Sequence, residues 1–61
     1  MINKQWTVRS VVLRHPHLVG KFFELGIGPG LAYLTLEAVA VRLGWSSDAL
    51  VDELARAAAP V

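Results

Sequence analysis

A glycine-rich turn near the middle of the chain is the strongest constraint on how it can fold. One apolar segment runs into Leu25-Gly26-Ile27-Gly28-Pro29-Gly30, and a second apolar segment follows it. Glycine adopts the left-handed backbone conformation without a steric penalty, and proline cannot donate the hydrogen bond that continues a helix. The turn therefore interrupts regular structure, and the chain must fold as short elements on either side of it.

Apolar residues recur with a helical period before the turn. A first helix is predicted to open at Thr7, a favourable N-cap type, and to stop near Arg14 or His15, because Pro16 disfavours a helical residue before it. A second helix is predicted to begin at Pro16 and to end at Gly26. Its apolar side comprises Leu18, Val19, Phe22, Phe23 and Leu25.

The same period continues after the turn. Residues 31–34 are predicted to form a short helical turn, and Thr35 is predicted to cap a third helix that ends at Gly44. Trp45 is expected to plug the core beside that end. Ser46 and Ser47 open a fourth helix, whose apolar stripe is Leu50, Val51, Leu54, Ala57 and Ala58. Residues 1–61 are thus predicted to form one all-α domain, a compact irregular array of four to five short helices.

The short length of the chain and its lack of cysteine limit how it can be stabilised. It has 61 residues and no cysteine. Domains this small bury only about 60% of the surface that their unfolded chains expose. Without cysteine, disulfides and thiolate-bound zinc or iron–sulfur clusters are excluded as stabilising devices. Because 54% of the residues are hydrophobic, we expect more apolar surface than the chain can bury, and such surface usually marks an interaction site.

No segment of the sequence has the length of a membrane span. The longest stretch without a charge has twelve residues, Leu25 to Leu36, and contains three glycines and a proline, whereas a span needs about 20 apolar residues. The N-terminal residues lack the apolar core of a signal peptide. We therefore expect a cytoplasmic protein.

Charge is distributed unevenly, although the net charge is only +1. Residues 1–30 carry four Lys or Arg and one Glu, whereas residues 31–61 carry two Arg and four Asp or Glu. The pattern favours complementary packing of the two halves, within one chain or between chains, over a basic patch for an anionic partner.

Five motifs, taken in order, resemble a known family. They are Thr7-Val8, His15-Pro16-His17-Leu18, Phe23-Glu24-Leu25-Gly26-Ile27, Thr35-Leu36-Glu37-Ala38 and the run from Asp48 to Leu54. The family is the hybrid-cluster-protein-associated redox domain, related to the small helical domain at the N-terminus of the di-iron iron–sulfur-cluster repair proteins. The resemblance covers nearly the whole chain and implies a compact array of short helices and self-association.

The chain departs from that family at the glycine-rich turn. Where the family places one or two cysteines, this chain has Gly28-Pro29-Gly30-Leu31-Ala32-Tyr33. The suspected redox or cluster-linked role of the family depends on those thiols. The resemblance therefore implies a cysteine-free relative to which that role does not carry over.

The turn itself is one candidate for a ligand site. Gly26, Gly28, Gly30 and Tyr33 lie where backbone N–H groups close to a helix N-terminus could receive an anion. Pro29 removes one of those donors, and no phosphate-binding lysine motif follows. A purely structural turn is the favoured interpretation.

Two histidines are weak candidates for metal or haem ligands. His15 and His17 flank Pro16, and residues two apart do not share a helix face. Either histidine could supply the axial ligand that haem needs, but nothing else in the sequence supports haem binding. We predict no bound cofactor and no metal.

Trp6 and Tyr33 are the candidate interface residues, since aromatic side chains are enriched at binding hot spots. Trp6 precedes the first helix and Tyr33 lies at the turn, whereas Phe22 and Trp45 are expected in the core. Nucleic-acid binding is disfavoured, because the fourth helix carries Asp48, Asp52 and Glu53 against Arg56, the wrong sign for a phosphate backbone. No catalytic pattern of nucleophile, base and oxyanion donor is present.

Two hypotheses follow for the function. The first is a non-enzymatic helical module that forms homo-oligomers or docks to a protein partner. The second is a carrier of an anion, haem or metal, which would use the glycine turn and one nearby histidine.

Overall fold

Four short α-helices make up the fold. The computed structural model describes residues 2–59, so Met1, Pro60 and Val61 of the predicted domain lie outside the described residues. The helices are α1 (Val8–Arg14), α2 (Val19–Glu24), α3 (Leu36–Leu43) and α4 (Ser47–Ala58). Residues 2–59 contain no strand, and the predicted all-α array of short helices is confirmed.

Hydroxyl side chains cap three of the helices at their N-termini. Thr7, Thr35 and Ser46 each accept a hydrogen bond of 3.1 Å from the backbone N–H three residues on. The sequence predicted caps at these positions because such residues satisfy N–H groups that have no partner inside the helix.

Prolines lead two 3₁₀ turns that precede α2 and α3, Pro16–Leu18 and Pro29–Leu31. The second helix was predicted to be continuous from Pro16 to Gly26, but its first three residues are 3₁₀. The Leu18 N–H donates to the carbonyl of His15, three residues back, at 2.9 Å. The first turn is therefore tighter than a turn of α-helix. The turn predicted at residues 31–34 begins earlier for the same reason, since Pro29 suits its first position.

The starts of α1 and α3 satisfy each other through backbone hydrogen bonds. The N–H groups of Val8 and Arg9 donate to the carbonyls of Leu34 (3.0 Å) and Ala32 (2.9 Å). In return, the N–H groups of Leu36 and Glu37 donate to the carbonyls of Trp6 (2.8 Å) and Lys4 (3.1 Å). The arrangement is symmetrical about an isolated antiparallel bridge between Thr7 and Thr35. It fixes the two helices relative to each other.

The glycine-rich turn ends α2 through a six-residue hydrogen-bonded closure. Gly26 has a φ of 82°, and the N–H of Ile27 donates to the carbonyl of Phe22 at 2.8 Å. This is the Schellman motif, which needs a left-handed residue at the helix end. The side chain of Ile27 is only 3% exposed, so the turn is attached to the core.

The end of α3 has the same backbone closure but a different side-chain outcome. Gly44 has a φ of 73°, and the N–H of Trp45 donates to the carbonyl of Ala40 at 2.9 Å. Trp45 remains 41% exposed. The prediction that it plugs the core is wrong, because its backbone closes the helix while its side chain stays outside the core cluster and partly exposed.

One apolar core holds the helices together. Among the described residues no polar or charged side chain is buried. The buried side chains are Ile2, Val8, Val11, Leu18, Phe22, Ile27, Leu36, Val39, Ala40, Leu50 and Leu54. Within residues 2–59, no helix combines the length and the apolar character needed to cross a membrane.

We expect opposite effects from two alanine substitutions in the glycine-rich turn. Gly26→Ala should lower the free energy of unfolding by about 1–2 kcal/mol, because an L-residue resists the left-handed conformation. Gly28→Ala should raise it by up to about 1 kcal/mol, because Gly28 is extended with open space at its Cβ position, so that only the unfolded chain loses freedom. Urea unfolding of both variants checks this. Equal destabilisation by both would contradict the assigned conformations.

Candidate functional site

An apolar groove lies between α1, α2 and the second 3₁₀ turn. It encloses about 180 Å³. The buried side chains of Val8, Phe22 and Ile27 form its floor, and the partly buried side chains of Val12 and Ala32 form its walls. The floor thus belongs to the core, which fixes the depth of the groove.

Three large apolar side chains form the rim of this groove. Leu13, Val19 and Phe23 line it and are 70%, 45% and 60% exposed. Arg9 alone among the lining residues is charged, and it too is exposed. The groove and its rim form a continuous apolar surface with one cation on it.

The rim residues of α2 correct the predicted apolar side of the second helix. Leu18 and Phe22, four residues apart, are buried, whereas Val19 and Phe23 are exposed. Each follows its buried neighbour by one position, which turns its side chain about 100° around the helix axis. The helix therefore carries two apolar stripes, and the core covers only one. In the sequence, the two stripes are visible only as five apolar residues on one short helix.

The volume of the groove indicates what it can hold. Pockets for small molecules usually have about 300–1,000 Å³ and a few convergent polar groups. A cavity of about 150 Å³ is enough for benzene. At about 180 Å³, with Arg9 the only charged lining residue, the groove suits one aromatic or aliphatic side chain.

The residues predicted for a ligand site at the turn have separate places in the fold. Gly26 closes α2, Gly28 lines the groove, and Tyr33 is 71% exposed and does not line it. Several turn N–H groups donate to carbonyls of this chain, namely those of Gly26, Ile27, Leu31 and Ala32. The N–H groups of Gly28 and Gly30 flank Pro29, which has none. The turn therefore offers no row of adjacent donors to an anion.

The two histidines lie at the junction between α1 and the first 3₁₀ turn. His15 is partly buried and His17 is exposed. Their rings meet edge to face with centroids 6.0 Å apart. Among residues 2–59, no group of three or more His, Asp or Glu side chains is placed to hold a metal ion. The structure therefore brings together no ligand set around them.

The predicted interface residues Trp6 and Tyr33 lie apart from the groove lining. Trp6 is partly buried against the core, and the guanidinium of Arg14 stacks over its ring, 4.9 Å from the centroid. Tyr33 is exposed. The sequence thus favoured these two aromatic residues, whereas the exposed apolar residues that line the groove are Leu13, Val19 and Phe23.

Ion pairs join the basic and acidic halves of the chain. Lys21 lies 3.1 Å from Glu53, and Lys4 lies 3.5 Å from Glu37. These contacts fit the complementary packing that the charge pattern favoured. Arg9 and Glu24, by contrast, form no salt bridge with any described residue.

Comparison with known proteins found no relative. No protein-family model, curated protein or solved structure matches the chain. The resemblance to the hybrid-cluster-protein-associated redox domain therefore stays a prediction from the order of the motifs.

Two adjacent phenylalanines test the distinction between floor and rim. Phe22→Ala should lower the free energy of unfolding by about 3–5 kcal/mol, because it removes a fully buried ring. Phe23→Ala should change it by no more than about 0.5 kcal/mol at low protein concentration, because that ring is largely exposed. Urea unfolding followed by circular dichroism measures both. Similar losses from the two substitutions would place Phe23 in the core.

Proposed function

We propose that this chain is a non-enzymatic docking module of the cytoplasm, whose apolar groove receives a side chain from another protein chain. The observation that carries the proposal is the rim formed by Leu13, Val19 and Phe23. All three are substantially exposed around a groove of about 180 Å³. Exposed apolar surface with this shape is typical of protein interaction sites. The groove lining contains no nucleophile, acid or base.

The rim residues supply the driving force for docking. Fully burying one such side chain is worth about 1.5–3 kcal/mol, and three partly exposed ones therefore contribute several kcal/mol. Association costs an estimated 4 kcal/mol or more in lost freedom of motion. The balance favours weak or moderate binding, typical of a contact that forms and separates.

The carrier hypothesis has less support. An anion would be received by N–H groups at a helix start. The first N–H groups of α1 and α3 donate to Leu34, Ala32, Trp6 and Lys4 instead. The groove is also smaller than the usual pocket for a cofactor. A protein side chain is the occupant that fits the size and the chemistry.

We also propose a relationship to the hybrid-cluster-protein-associated redox domain. The support is the order of motifs from Thr7-Val8 to the run ending at Leu54, together with the turn where the cysteines of the family are replaced. On this proposal the chain has kept a helical scaffold and uses it for binding without thiol chemistry.

Site-specific photocrosslinking tests the docking function. With p-benzoylphenylalanine in place of Leu13, which is 70% exposed on the rim, irradiation in the cells that naturally make the protein should give a discrete protein adduct. The matched control replaces Val41, which is 76% exposed on α3 and does not line the groove. It should give no such adduct.

Absence of any adduct from Leu13, with the chain folded by circular dichroism, would overturn the docking function. Equal adducts from Leu13 and Val41 would also overturn it, because the groove would then have no special role. The mass of a specific adduct reports whether the second chain is another copy or a different protein.

A further inference from the structure

We propose that the occupant of the groove is Phe23 of a second copy of this chain, in a two-fold symmetric dimer. Resting on the docking function proposed above, this inference adds the identity of the partner and the geometry of the contact. Each copy would place its Phe23 ring in the groove of the other. Each Arg9 would pair with the Glu24 of the opposite copy.

The surface carries both halves of such a contact. A two-fold interface uses the same patch on both copies, so the patch must be complementary to itself. Phe23 projects at the rim with 60% of its surface exposed, and the groove beside it has room for one aromatic ring. A knob and a matching cavity therefore lie side by side on one face.

Charge complementarity selects a second copy as the partner. Arg9 lies in the groove lining, and Glu24 directly follows Phe23 on α2. Both are exposed, and neither forms a salt bridge within residues 2–59. Lys21, on the same helix, is already paired with Glu53. Two-fold docking would give the Arg9 of each copy the Glu24 carboxylate of the other, and these two charges of the contact would cancel.

The small size of the patch sets the expected strength of the dimer. A stable interface buries about 800 Å² on each partner, roughly a fifth of the 3976 Å² surface of this chain. A single groove with three rim residues covers less than that. Interfaces below the standard size are typically weak and transient, so the dimer should dissociate on dilution through the micromolar range.

Sedimentation velocity over a dilution series tests this proposal directly. The wild-type chain should pass from dimer to monomer as its concentration falls. Phe23→Asp should raise the dissociation constant at least about tenfold, because it places a carboxylate in an apolar groove. The matched control Val41→Asp alters a residue that is more exposed than Phe23, at 76%, but does not line the groove, and it should leave the dissociation constant unchanged.

A charge exchange tests the symmetry of the contact. Arg9→Glu and Glu24→Arg should each weaken the dimer about three- to tenfold, because each brings two like charges together twice across the interface. An equimolar mixture of the two variants should dimerise again, because both cross pairs are then opposite in sign. The chain with both substitutions should also dimerise. A purely structural role for either residue would not produce recovery on mixing.

Three results would overturn the inference. They are a wild-type chain that is monomeric throughout the high micromolar range, a dimer that is insensitive to Phe23→Asp, and a mixture of charge variants that does not recover. A monomer whose Leu13 position still crosslinks to a different protein would reject the second copy while keeping the docking function. A monomer with no crosslink would reject both.

Discussion

The backbone hydrogen bonds between the stretch around Thr7 and the stretch around Thr35 hold this fold in place. A helix start leaves several N–H groups without partners inside the helix. Here, Val8, Arg9, Leu36 and Glu37 direct theirs to carbonyls of the opposite stretch. Neither α1, with seven residues, nor α3, with eight, is long enough to be stable alone in water. The start of each helix therefore depends on the stretch that leads into the other.

The exposed groove follows from this arrangement. With α1 and α3 fixed, α2 can direct only one of its two apolar stripes toward the core. Leu18 and Phe22 fill that place, and Val19 and Phe23 remain at the surface beside Leu13. A 61-residue chain has few means of covering such a surface by itself. The same packing that stabilises the fold thus leaves this apolar surface exposed.

The sequence revealed the helix ends better than it revealed the surface. Thr7, Thr35, Ser46, Gly26 and Gly44 act locally, through their own side chain or backbone conformation, so their roles could be predicted. Which of two adjacent phenylalanines is buried depends on where α1 and α4 lie, and a single helix cannot specify that. The burial of Trp45 was predicted wrongly for the same reason. Ile27 occupies the equivalent position after its helix and is buried, whereas Trp45 is exposed. The proposed pairing of Arg9 with Glu24 likewise depends on which charged side chains lie at the groove, and the sequence does not show that.

The symmetry between the two helix starts has a consequence for how the length of this chain can vary. Thr7-Val8-Arg9-Ser10-Val11 and Thr35-Leu36-Glu37-Ala38-Val39 share a pattern of hydroxyl, apolar, charged, small and apolar residues, and they are joined by bonds in fixed register. An inserted or deleted residue between Lys4 and Arg9, or between Ala32 and Glu37, would shift donors and acceptors on both helices at once. Relatives of this chain should therefore keep both stretches at constant length and place their insertions elsewhere.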